Sequence, residues 1–196
     1  TLNEFLATNP STQQRQKVVL QLLDAMQYIH SKQITHRDLK PSNILITRNG
    51  LNVKIIDFGL ADADNYAIFK QPAGTISYAA PEQMQRGTTI DCRTDIYSFG
   101  LILKEIFPNK YRSISHRCTQ SDPSHRYANA VDILRAIHRQ TQLRKLMLPA
   151  ILCVLLLIVP FFLLLNRTND ATAYSDPQQM MINESFAAID KIYRPY

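Results

Sequence analysis

Between Thr12 and Ser31 the apolar residues Val18, Val19, Leu22, Leu23, Met26 and Ile29 recur at helical spacing, which predicts a long helix with one core-facing side. Just upstream, Thr1-Leu2-Asn3-Glu4 has the spacing of a capping box ahead of Phe5 and Leu6. The period changes after Asn43. Ile44-Leu45-Ile46 and Leu51-Asn52-Val53-Lys54-Ile55-Ile56 are apolar and β-branched, and Asn49-Gly50 between them is a strong hairpin signal. Helical spacing returns from Asp95 through Leu101, Ile102 and Ile106, and again at about 128–138, after the turn Asp122-Pro123-Ser124-His125-Arg126. Residues 146–165 then carry no charged or strongly polar side chain, and at about 1.5 Å per residue such a helix is long enough for a hydrocarbon core of roughly 30 Å. The expected fold is mainly α: a helical lobe with one small β-hairpin, followed by one transmembrane helix.

The hairpin gives the first chemistry. Pairing about Asn49-Gly50 brings Asn43 and Asp57 together at its open end, and an amide oxygen beside a carboxylate makes a pair of hard oxygen ligands suited to magnesium. Taken alone, these residues are equally a turn cap and a solvated strand end. Their surroundings distinguish the two readings. His36-Arg37-Asp38-Leu39-Lys40-Pro41-Ser42-Asn43 is followed by Asp57-Phe58-Gly59, then by Ala80-Pro81-Glu82 and by Asp95-Ile96-Tyr97-Ser98-Phe99-Gly100. In this order and spacing they resemble the signature set of the eukaryotic-type protein kinases, and the chain resembles the C-terminal lobe of one.

The resemblance implies phosphoryl transfer from ATP, a reaction that needs metal ions on the phosphates, a carboxylate near the attacking hydroxyl, and fixed positions for both. It implies Asp38 as the residue that accepts or orients the hydroxyl proton and Lys40 beside the transferring phosphate. Asp57 and Asn43 are implied as Mg²⁺ ligands, and Leu45 as the residue beneath the adenine ring. Thr75, in Gly74-Thr75-Ile76-Ser77-Tyr78-Ala79-Ala80, matches the threonine that bridges the catalytic Asp and Lys. A lysine at position 40 resembles the serine/threonine kinases, so a Ser or Thr of a protein substrate is the expected acceptor. His36 and Phe58 read as packed members of a hydrophobic spine, Asp95 as an anchor of the catalytic-loop backbone, and Glu82 with Arg126 as a locking pair.

Three departures from the family bear on function. The glycine-rich loop, the lysine-bearing strand and the helix with its glutamate are absent, and position 1 is Thr, so the chain is expected to be a fragment of a longer kinase that binds nucleotide feebly by itself. The interval from Ile106 to Arg126 is too short for both the usual substrate-docking helix and the helix after it. No Ser or Thr occurs in 61–73, so Asp62, Asp64 or Tyr66 is the expected partner of Arg37, with activity independent of threonine phosphorylation there.

Charge completes the reading. Arg135, Arg139, Arg144 and Lys145 precede the apolar run closely and only Arg167 follows it closely, so the positive-inside rule places the lobe in the cytoplasm and the tail outside. The expected organisation is a kinase C-lobe over 1–139, a basic juxtamembrane linker over 140–145, a single membrane span over 146–165 and a short extracytoplasmic tail over 166–196, with the lipid bilayer as a partner. That tail is expected to be an inert stub; Asn183-Glu184-Ser185 in it is a glycosylation sequon only in a luminal, eukaryotic setting. A net charge of +6 in 196 residues is dispersed and lacks interleaved aromatics, which argues against a nucleic-acid partner. Cys92, Cys118 and Cys153 are odd in number and widely spaced, fitting a reducing compartment and no zinc site. The alternative to a kinase is a catalytically silent kinase-like module that binds partners, against which the intact Asp38, Lys40, Asn43 and Asp57 weigh. A small-molecule phosphotransferase is the third reading, disfavoured by Ala80-Pro81-Glu82.

Overall fold

The computed structural model describes residues 1–58, 78–85, 87–173 and 177–193. Helix α1 covers Leu2–Ala7 and α2 covers Thr12–Ser31; strands β1 (Ile44–Ile46) and β2 (Val53–Ile55) follow. After them come α3 (Arg93–Ile106), α4 (Arg112–Cys118), α5 (Ala130–Ala173) and α6 (Pro177–Tyr193). Short 3-10 turns lie at Pro41–Asn43, Pro81–Met84 and Pro123–His125, each opened by a proline whose fixed φ suits a first helical position.

Two compact units divide the chain, Thr1–Thr141 and Gln142–Tyr196. The first holds the core. The residues that α2 buries are the six its periodicity singles out, Val18, Val19, Leu22, Leu23, Met26 and Ile29. They join Ile96, Phe99, Ile102, Leu103 and Ile106 of α3, Tyr111, Ile114 and Cys118 around α4, and Ala130, Ile133 and Ile137 of α5. The expected capping box at Thr1 is present, and a second one, Ser11 with Gln14, starts α2. Helix α3 passes α4 so closely that a Cβ built on Gly100 would lie 2.5 Å from the Cβ of Cys118. One helix, α4, fits in the interval from Ile106 to Arg126.

The hairpin has the expected partners. Strands β1 and β2 are antiparallel in the register Ile44↔Ile55, Leu45↔Lys54 and Ile46↔Val53, and the Ile56 N–H donates to Asn43 O at 3.0 Å to extend it toward the site. Leu51 does not join the strand. It turns with Gly50 in left-handed backbone, φ 53° and 86° respectively. The Gln21 side chain on α2 fixes that turn, donating to Leu51 O at 3.0 Å and accepting from the Val53 N–H at 3.1 Å.

One expectation about the second unit is corrected. A transmembrane helix was expected over 146–165, yet among the described residues no helix is long and apolar enough to cross a membrane. The segment belongs to α5, a helix that starts far upstream and carries the charged Arg135, Arg139 and Lys145 before the apolar run. The bilayer partner and the single-pass topology rested on that span and lose their support with it. The tail contains α6, on which Met180, Met181, Ile182, Phe186 and Ile189 are exposed.

Candidate active site

Local backbone chemistry builds the site before any long-range contact does. Lys40 is extended and Pro41 then starts a 3-10 turn, which folds Asn43 back on the residues preceding it. The Asn43 amide donates to Asp38 O at 2.9 Å and to Asp38 Oδ2 at 3.1 Å. The Lys40 ammonium lies 2.8 Å from the same Oδ2, with both side chains largely buried. The carboxylate of Asp38 is thus held from two directions through one of its oxygens. Because its nitrogen takes both bonds to Asp38, the Asn43 amide must present its oxygen elsewhere, and there Ser42 Oγ donates weakly at 3.4 Å. Asp57 follows β2 in left-handed backbone, φ 65°, a conformation that Asp tolerates better than most residues.

Long-range contacts then fix this loop. Asp95, fully buried in the first turn of α3, accepts the His36 N–H at 2.8 Å on Oδ2 and the Arg37 N–H at 2.9 Å on Oδ1. His30, at the end of α2, meets the same Oδ2 through Nε2 at 2.8 Å. His36 is packed, as expected. Its Nε2 faces Ile56 O at 2.9 Å and its Nδ1 accepts the Asp38 N–H at 3.3 Å, which puts the ring proton on Nε2. Phe58 lies 4.7 Å from it, ring centre to ring centre. Leu45 is at the middle of β1 with its side chain exposed.

Farther along, Glu82 and Arg126 form the expected pair, doubly bonded at 2.6 and 2.7 Å with Thr94 Oγ1 donating to the same carboxylate. Burial by itself pushes the Glu82 pKa up; the hydrogen bonds from Arg126, with help from its charge and from Thr94, outweigh burial and hold the group below the usual carboxylate value. The Tyr78 hydroxyl donates to Glu105, and burial followed by that carboxylate pushes the tyrosine pKa up. Thr75, Gly59 and the positions 61–73 lie outside the described residues. The structure brings Asp38, Lys40 and Asn43 of the sequence reading together in one loop, with Asp95 of α3 holding the backbone of that loop. Sequence reasoning missed His30, which meets Asp95, and Gln83, whose Nε2 donates to Arg37 O at 2.8 Å; no short motif marks either, since each acts from another element.

Residues 1–149 match the protein kinase domain family. The chain belongs to that family. This kinase domain is 41% identical over 117 residues to the probable serine/threonine-protein kinase PknB of Bifidobacterium longum, covering 56% of this chain and 17% of that protein. It is 33% identical over 154 residues to the serine/threonine-protein kinase PknB of Mycolicibacterium smegmatis, covering 70% and 24% respectively. Against calcium-dependent protein kinase 6 of Plasmodium berghei it is 38% identical over 141 residues, 67% of this chain and 9% of that one. The kinase domain seen here therefore spans between 9% and 24% of the length of these relatives.

Proposed function

We propose that the parent protein transfers the terminal phosphoryl group of ATP to serine or threonine of protein substrates. The observation that carries the reading is the Asp38 carboxylate, anchored through Oδ2 by Lys40 at 2.8 Å and by Asn43 at 3.1 Å. Its other oxygen, Oδ1, makes neither contact and is the one offered to a substrate hydroxyl, whose proton it accepts or orients as the oxygen attacks phosphorus. Lys40, next to that carboxylate, places positive charge where the transferring phosphoryl oxygens gather. Leu45 offers an exposed apolar surface to the adenine, and Thr75 is assigned the bridge between Asp38 and Lys40 from the motif around it. The relatives named as serine/threonine kinases, together with Lys40, favour hydroxyl over phenol acceptors.

The residues present fit a magnesium ion. Asn43 and Asp57 provide an amide oxygen and a carboxylate, hard donors of the kind Mg²⁺ takes when waters and substrate phosphates complete its shell. When bound, the metal neutralises phosphate charge as it develops; the protein's part is to hold Asn43 and Asp57 at the open end of one hairpin, tied together by the bond from the Ile56 N–H to Asn43 O. Radiolabel transfer by the parent protein tests the reading. Asp38→Asn is expected to reduce transfer by about 100-fold or more, the scale on which a general base acts. Undiminished transfer by that variant would remove Asp38 from its role.

A further inference from the structure

The side chain of Gln83 is fully buried and makes two hydrogen bonds to backbone. Its Oε1 accepts the Ala80 N–H at 2.9 Å and its Nε2 donates to Arg37 O at 2.8 Å. The assignment of oxygen and nitrogen is not interchangeable, because a backbone N–H only donates and a carbonyl only accepts. One amide therefore joins the segment entering the Pro81–Met84 turn to the loop that carries Asp38.

The point of attachment matters. Arg37 sits in left-handed backbone, φ 63°, a region that costs a non-glycine residue energy and persists where neighbours over-determine it. Its N–H is held by Asp95 from α3 and its C=O by Gln83, so this residue is clamped on both sides. The peptide that Gln83 holds runs directly into Asp38, and its rotation would swing the Asp38 carboxylate. Ala80, on the other side of the amide, is buried, and close by Tyr78 O accepts from Ser98 Oγ of α3 at 2.8 Å.

We propose that Gln83 is a positioning residue for Asp38: its buried amide makes the orientation of the Arg37–Asp38 peptide conditional on the seating of residues 78–84 against α3. This rests on the kinase reading of Asp38. Release of the 78–84 segment withdraws the donor from Arg37 O, so the state of the segment that precedes the helical subdomain is read at the reacting carboxylate without any contact between Gln83 and substrate.

Two variants of the parent kinase test it, Gln83→Met and Gln83→Glu. Methionine fills the space and forms neither bond. Ionised glutamate still accepts from Ala80 but cannot donate to Arg37 O; protonated, it can. Gln83→Met should lose about 100-fold in kcat, with KM for ATP little changed, the scale of a small displacement at a reacting group, and Gln83→Glu should lose as much once its buried carboxyl is ionised. On lowering the pH, the ratio of Gln83→Glu to wild-type kcat should rise, while the ratio for Gln83→Met stays flat. Far-ultraviolet dichroism and melting identify a variant that has merely unfolded, and the Glu variant at low pH is compared in its folded state. Folded variants with wild-type kcat would overturn the proposal, as would equal losses in both variants without the pH difference. An inactive wild-type parent would overturn the kinase reading itself, and this inference with it.

Discussion

Every N–H of the Arg126 guanidinium is used: Nε donates to Gln120 O, and the two terminal nitrogens donate to Glu82, Arg93 O and Ser121 O. A buried charge this fully satisfied is costly to break from one side, so Arg126→Ala should destabilise the lobe by about 3–5 kcal/mol in chemical denaturation. The pH dependence has a definite sign. Glu82 has a folded pKa below its ordinary 4.5, so the stability it contributes is present above that value and is lost as pH falls through the lower, folded value. Wild type should therefore lose stability on acidification in this window, and Glu82→Gln should flatten that limb while being less stable at neutral pH. Denaturation midpoints taken at several pH values would decide it; an unchanged acid limb in the variant would show that Glu82 does not contribute. The motif made this pair legible. Gln83, one residue on, was not, because its partner Arg37 O lies 46 positions away and an amide side chain advertises no partner in sequence.

At the scale of elements, α2 was readable because its six buried residues repeat with the helical period and its start carries a Ser-x-x-Gln box. Ser11→Ala should cost about 1 kcal/mol, measured by denaturation, through loss of the cap to Gln14 N. The contact between α3 and α4 was not readable. Gly100 looks like an ordinary residue late in a motif, and only the close approach of Cys118 and Thr119 shows why no side chain fits there. Gly100→Ala gains helix propensity but must displace the Cys118 Cβ, so a net loss of about 1–3 kcal/mol is expected. A variant as stable as wild type would mean that α4 yields easily. The hairpin was partly legible: Asn49-Gly50 set its register, whereas Leu51 turned instead of pairing, because Gln21 from α2 captures its carbonyl.

At the scale of the whole molecule, all the buried apolar residues lie between Leu2 and Ile137, within the first unit, among the described residues. Residues Val154 to Leu163 instead expose large apolar side chains, far more than dispersed surface residues need. Deleting residues 142–196 from the chain should therefore leave the melting temperature of the lobe within about 4 °C, equivalent to roughly 1 kcal/mol for a domain of this size. A large drop in melting temperature would show that the second unit supports the first.

The sequence by itself determined the periods of α2 and α3, the place of the hairpin, and the kinase loop with Asp38, Lys40 and Asn43, because each is written in spacings of a few residues. It also determined the pairing of Glu82 with Arg126, though only through a resemblance that supplies the fold. Tertiary structure decided the rest. Whether 146–165 is a helix of its own or part of a longer one depends on what continues on either side of it, and hydropathy averaged over a window does not contain that. The clamp on Arg37 brings Asp95 and Gln83 to the two ends of one residue from positions 58 and 46 residues away. Such a meeting is set by how helices pack, and packing depends on shape in three dimensions rather than on order along the chain.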